Sequence, residues 1–194
     1  GEHEYDPQEI EFTFESPAAE DFYVLQKRAV VQEQEKGAAY FDTSSPNYGP
    51  PAAVGMGVAG GAYSGRVAIN AGQIDQLLAE SPGENIVLLR PDTVPEDIAI
   101  ITRVNAILTA RGGATSHAAV TAKRLGKTAV VDCRDLEVIE RDGLARLAGS
   151  KLRAGDWLSI DGRTGNIFAG RIPTLGESGP AGPAAAERVP AGSG

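Results

Sequence analysis

The chain has 194 residues, 42% of them hydrophobic, and a net charge of −8 at pH 7. That is enough for one ordinary domain with a core plus extensions, and the acidic balance argues against general nucleic-acid binding. A single cysteine excludes an intramolecular disulfide and any cysteine-based metal cluster.

The first residues, GEHEYDPQEI, have neither the basic start nor the apolar stretch of a signal peptide, and no apolar run reaches the length of a membrane span. The sequence therefore reads as that of a soluble, cytoplasmic protein. Residues 9–28 alternate in Glu9–Phe14 and carry an apolar run in Phe22–Leu25, with Pro17 between them, which predicts a β-hairpin. Two strands are not stable alone, so this hairpin is expected to pack on something else. The polar stretch that follows ends in turn formers and reads as a linker.

From about Gly57 the texture changes. GGAYSGRVAI predicts a strand, AGQIDQLLAE a short helix and NIVLLR an apolar strand. In PDTVPEDIAIITRVN, Thr93 is expected to cap a helix, with Pro95 in its first turn and Glu96 and Asp97 at its positive end. AILTA is a strand, HAAVTAKRL a helix closed by Gly126, TAVVDC a strand, and WLSIDGRTGNIF a hairpin turning near Asp161–Gly162. Cys133, at the end of an apolar strand, reads as structural. Short strands mixed with short helices predict one α/β domain over residues 57–171. The remainder, 172–194, is rich in Pro, Gly and Ala and reads as a disordered tail or linker.

Charge is distributed unevenly. Residues 1–36 hold ten acids against three bases, whereas residues 103–131 hold five bases (Arg103, Arg111, Lys123, Arg124, Lys127) and no acid. Inside that basic stretch lies RGGATSHAAV. Gly112 and Gly113 let main-chain N–H groups approach a ligand closely, Thr115 and Ser116 are good N-cap residues with free hydroxyls, and the helix mouth favours an anion. His117 there would be a nucleophile able to carry a phosphoryl group. The same residues also fit a plain capped helix with a half-buried histidine, and its cations fit a solvated helix face. Two histidines and one cysteine are too few for a metal site. A Ser116-based triad would crowd nucleophile and base into adjacent positions, and no G-x-S-x-G is present.

GGATSHAAVTAKRLGKTAVV resembles the phosphohistidine signature of the phosphoenolpyruvate (PEP)-utilising enzymes. LLRPDTVPEDI and IEFTF…FYVLQKR are similar to further segments of that family, in the order found in its pyruvate phosphate dikinase branch. The resemblance implies a swivelling β/β/α phosphohistidine domain over 57–171, preceded by the C-terminal end of an ATP-grasp nucleotide-binding domain (1–30) and a linker (31–56). It implies that His117 accepts a phosphoryl group from ATP and delivers it to pyruvate, forming PEP, with Gly112, Gly113, Thr115 and Ser116 around the group. Glu11, Gln26 and Arg28 match residues at the edge of the ATP and Mg²⁺ site, Glu11 and Gln26 on the metal side. Thr115 matches the target of a regulatory kinase/phosphatase. The implied partners are the enzyme's own ATP-grasp and PEP/pyruvate barrel domains, in a homo-oligomeric parent, with no nucleic acid and no membrane. Neither the bulk of the nucleotide domain nor the barrel is in the sequence, so the chain reads as an excerpt that does not turn over alone. Ala114, Thr121 and Asp132 depart from the family pattern, outside the reactive triplet. PEP synthase, another PEP-utilising phosphotransferase, or a non-catalytic interaction module with the same fold are the competing expectations.

Overall fold

A computed structural model of the chain describes residues 39–176, together with the backbone of residues 8–14 and 22–29. The chain divides into two compact units, Gly1–Lys36 and Gly37–Gly194. In the first, β1 (Gln8–Phe14) and β2 (Phe22–Ala29) form an antiparallel hairpin whose register pairs Glu11 with Gln26 and Glu9 with Arg28.

The second unit is a mixed α/β structure. It opens with β3 (Tyr40–Phe41), β4 (Ala53–Val54), β5 (Met56–Ala59) and β6 (Ala62–Ala68). Next come α1 (Ala71–Glu80), β7 (Ile86–Arg90), a 3₁₀ turn over Pro95–Asp97, α2 (Ile98–Ile101), β8 (Ala106–Thr109), α3 (His117–Leu125) and β9 (Thr128–Val131). It ends with β10 (Leu136–Ile139), β11 (Leu144–Leu147), β12 (Ser150–Arg153), β13 (Trp157–Asp161), β14 (Asn166–Ala169) and β15 (Thr174–Leu175).

Eight strands form one sheet in the order β4-β14-β13-β6-β7-β8-β9-β5, parallel from β6 to β9 and antiparallel elsewhere. Its two end strands, β4 and β5, are consecutive in sequence with only Gly55 between them, so the chain itself links the two edges. Close backbone approach makes that link possible. A Cβ at Gly165 would lie 2.0 Å from the Gly55 carbonyl oxygen, and one at Gly162 would lie 1.7 Å from that of Ala59. Gly165 also sits at φ +78, in the left-handed region that side chains resist.

The parallel centre is apolar on both faces, which is why NIVLLR and AILTA read as continuous runs and not as alternations. Val87, Leu89, Ala106, Leu108 and Val130 join one core, shared with Leu136, Leu147 and Leu152 of the β10-β11-β12 sheet. Ile86, Leu88, Ile107 and Ala129 join another, covered by Ile74 and Leu77 of α1, Ile101 of α2 and Ala122 of α3. Each fully buried Leu or Ile contributes roughly 1.5–3 kcal/mol.

Three expectations change. Residues 39–56, expected as linker, belong to the folded unit: Phe41 and Ala53 are buried, and Phe41 packs with Ala62, Phe168 and Ile172. At the other end, Ile172 is fully buried and β15 pairs with β3, so the ordered structure continues past 171 through residue 176. Residues 177–194 lie outside the described residues. Third, Thr93 caps nothing. The carboxylate of Asp97 reaches back to accept from the Val94 N–H at 3.0 Å, and the Thr93 hydroxyl is buried without a partner. No helix among the described residues is long and apolar enough to cross a membrane.

Candidate phosphoryl site at the mouth of α3

At the C-terminal end of β8 the Thr109 hydroxyl donates to the Arg111 carbonyl at 2.6 Å, turning the chain out of the sheet. The Arg111 N–H donates to the Pro91 carbonyl at 3.0 Å, which ties this loop to the one leaving β7. Gly112 follows at φ +116, where a Cβ would press on the Ser116 side chain at 3.1 Å. A turn from the Ser116 N–H to the Gly113 carbonyl, 2.9 Å, then launches α3.

Ser116 is the N-cap, its hydroxyl accepting from the Ala119 N–H at 3.3 Å. That leaves the His117 and Ala118 N–H groups at the first turn without intrahelical acceptors, facing the loop with the positive end of the helix dipole. Gly126 closes the helix at φ 65, and Lys123 and Arg124 occupy the last turn, where cations offset the opposite pole.

His117 is half-buried at the first helical position. Its Nε2 is shielded from solvent and makes no hydrogen bond. A buried imidazole nitrogen left unpaired costs about 1–3 kcal/mol, so its presence calls for a role. Thr115 and Ala114 are exposed, and Gly112, Gly113 and Ser116 are half-buried. The structure thus brings Gly112, Gly113, Thr115, Ser116 and His117 into one loop and helix mouth. Glu11, Gln26 and Arg28 lie on the separate hairpin, with side chains outside the described residues. Among the described residues, no group of three His, Cys, Asp or Glu side chains is placed to hold a metal ion.

Sequence reasoning missed Arg90. It ends β7 beside Thr109 of β8, and its guanidinium contacts Asp97 at 3.0 Å and Glu140, bracing the loop next to the histidine. The available signal was a lone arginine ending an apolar strand, followed seven residues later by an acid. Beyond the far end of α3, the partly buried Lys127 ammonium donates to the Thr102 and Val104 carbonyls, and burial lowers its pKa. Burial pushes the Cys133 thiol up, in keeping with a structural residue.

Residues 82–165 match the family model described as PEP-utilising enzyme, mobile domain. The chain is 33% identical over 156 residues to pyruvate, phosphate dikinase 2 of Zea mays, covering 77% of this chain and 17% of that protein. It is 31% identical over 200 residues to pyruvate, phosphate dikinase of Clostridium symbiosum, covering 89% of this chain and 23% of that protein. The Entamoeba histolytica pyruvate, phosphate dikinase is 37% identical over 123 residues, 63% of this chain and 14% of that protein. The chain therefore spans less than a quarter of the length of these relatives. The α3 mouth falls inside the matched segment, and residues 82–165 form a mobile domain of the PEP-utilising enzyme family.

Proposed function

We propose that this chain is the phosphoryl-carrier part of a pyruvate, phosphate dikinase-like enzyme, with His117 as the acceptor. The observation that carries this reading is His117 Nε2, buried and unpartnered at the mouth of a helix capped by Ser116. A ring nitrogen attacks one phosphorus of ATP, the P–O bond to the remaining nucleotide portion breaks with that portion leaving, and a P–N bond forms. In the second half of the cycle a methyl proton of pyruvate is removed by a base of the pyruvate-binding domain, the enolate oxygen takes the phosphoryl group, and the P–N bond breaks to return the imidazole. The free N–H groups of His117 and Ala118 and the Thr115 hydroxyl would stabilise the phosphoryl oxygens at the positive helix end. Because Nε2 is covered, transfer through that atom requires the ring to turn outward when a partner docks.

In this reading ATP and Mg²⁺ are held mainly by the nucleotide-binding part of the enzyme. We assign the β1–β2 hairpin to the end of that part. Its register sets Glu11 opposite Gln26, which supports the two acting at one edge of the nucleotide and metal site, with Arg28 near the phosphates. The folded unit over residues 39–176 then acts as the swivelling unit between the nucleotide domain and a PEP/pyruvate barrel.

The test adds the matching nucleotide-binding domain, Mg²⁺ and labelled ATP to this chain. Label that is lost in His117→Asn and kept in His3→Asn supports the assignment. Equal labelling of the two variants contradicts it. The chain alone should neither hydrolyse ATP nor form PEP above background.

A further inference from the structure

Arg90 is joined to the histidine loop through both its backbone and its side chain. It closes β7 and pairs in register with Thr109, the last residue of β8. Its carbonyl accepts from the Ala110 N–H at 3.1 Å, and the next carbonyl, that of Pro91, accepts from the Arg111 N–H at 3.0 Å. These two bonds set where the chain leaves β8, just before Gly112 turns it toward His117. The guanidinium holds the other side. One nitrogen contacts Asp97 at 3.0 Å, and another contacts Glu140 and donates to the Ile69 carbonyl at 3.4 Å. Asp97 in turn accepts from the Val94 N–H, so one carboxylate closes the loop after β7 and anchors it to Arg90. Segments leaving β6, β7 and β10 thus meet on a single planar fork.

Stability does not account for this fork. The Arg90 side chain is 17% exposed and that of Asp97 5%, whereas every other arginine in an ion pair among the described residues is at least 33% exposed. A pair this buried adds little net stability, because apolar side chains of the same volume would fill the space about as well. The Arg90 Nε is moreover buried without a hydrogen-bond partner, a penalty that an apolar side chain would not carry. What the fork supplies is one fixed geometry, since donors held in a plane admit fewer arrangements than packed methyl groups or a lysine ammonium. We infer that Arg90 is a positioning residue for phosphoryl transfer, fixing where the loop that carries His117 leaves the sheet. It acts through Ala110, Arg111 and the loop after β7, and not on the phosphoryl group itself. Transfer depends steeply on alignment: displacing a reacting atom by about 1 Å slows it about a hundredfold. This rests on the carrier reading, so the loop is also measured where no transfer is needed.

Removing Arg90 alone would leave the Asp97 charge buried and unpaired, which endangers the fold. The experiment therefore uses two other variants. Arg90→Lys keeps the charge and loses the fork; Arg90→Met with Asp97→Asn removes both charges and keeps an acceptor for Val94. Each is charged by the matching nucleotide-binding domain with Mg²⁺ and labelled ATP, and amide hydrogen exchange is followed by NMR in the free chain. The double variant should label His117 about a hundredfold more slowly at saturating nucleotide-binding domain. Its half-saturating concentration of that domain and its melting temperature should be unchanged. Arg90→Lys should fall between the double variant and the wild type. In both variants the Ala110 and Arg111 amides should exchange at least about tenfold faster, while those of Leu108 and Val130 keep their protection. Wild-type labelling rates, or amides at 110 and 111 as protected as in the wild type, would overturn the proposal. So would a lowered melting temperature with faster exchange throughout the sheet, the mark of a residue that serves the fold alone. If the wild type takes no label while the two amides loosen in the variants, the carrier reading fails and the link from Arg90 to the loop stands.

Discussion

Thr115 is exposed two residues before the histidine, and Ser116 performs the capping that either hydroxyl was equipped to do. With no capping duty, Thr115 is free to serve the incoming phosphate, and a fixed charge there would occupy the same pocket. Two anionic groups several ångströms apart repel by a few kcal/mol at intermediate dielectric, so Thr115→Asp should cut phosphoryl transfer to His117 by orders of magnitude with the fold intact. Thr115→Ser should preserve transfer and Thr115→Val weaken it modestly. Equal transfer by Thr115→Asp would contradict the regulatory role that the resemblance implies for this residue. Cys133 gives a second residue-level expectation. Its raised thiol pKa favours the neutral form in the folded state, so its contribution to stability is present below the ordinary thiol value of 9.0 and is lost as pH rises through the folded value. At pH 8 native protein should resist iodoacetamide that alkylates the same thiol rapidly in urea. Rapid native alkylation would show that the β9 end opens.

Among the elements, α3 is the one most fully written in the sequence. Ser before the first apolar-periodic residue, cations in the last turn and Gly just beyond it are each local signals, and each is realised. Ser116→Ala should cost about 1 kcal/mol in thermal or urea unfolding. The β10-β11-β12 sheet was not legible, and one turn explains much of that. Its β11–β12 hairpin uses a two-residue loop, Ala148–Gly149, with φ 47 and 81. Such loops normally announce themselves as Asn-Gly or Asp-Gly, and an alanine at the strained first position hides the signal. Relieving that position should therefore stabilise the protein: Ala148→Gly or Ala148→Asn is expected to raise unfolding free energy by up to about 1 kcal/mol. A loss instead would mean that the Ala148 methyl makes a contact worth more than the strain. In the short 3₁₀ turn before α2 the expectation holds for Pro95 in the first turn and for Glu96 and Asp97 at its positive end, and fails only for Thr93, because the Asp97 carboxylate takes the Val94 N–H in its place.

At the scale of the whole molecule, the sheet depends on contacts that no local pattern encodes. Apolar runs mark β7, β8 and β9 as strands, but nothing in the sequence indicates that β4 and β5, two and four residues long, link the two ends of the sheet. That link rests on Gly162 and Gly165 meeting the backbone of residues 55–60, a pairing over a hundred residues apart in sequence. The mobile-domain architecture thus holds the α3 mouth at the C-terminal edge of the parallel strands, on loops braced by Arg90 and by the Arg111–Pro91 hydrogen bond. If the imidazole of His117 is the acceptor, as proposed, the phosphate placed on the charged chain can be located by ³¹P NMR and peptide mass spectrometry. A single phosphoramidate is expected, stable in alkali and lost in mild acid, on the peptide that carries His117. An acid-stable phosphate ester on Thr115 or Ser116, with the imidazole unmodified, would contradict it.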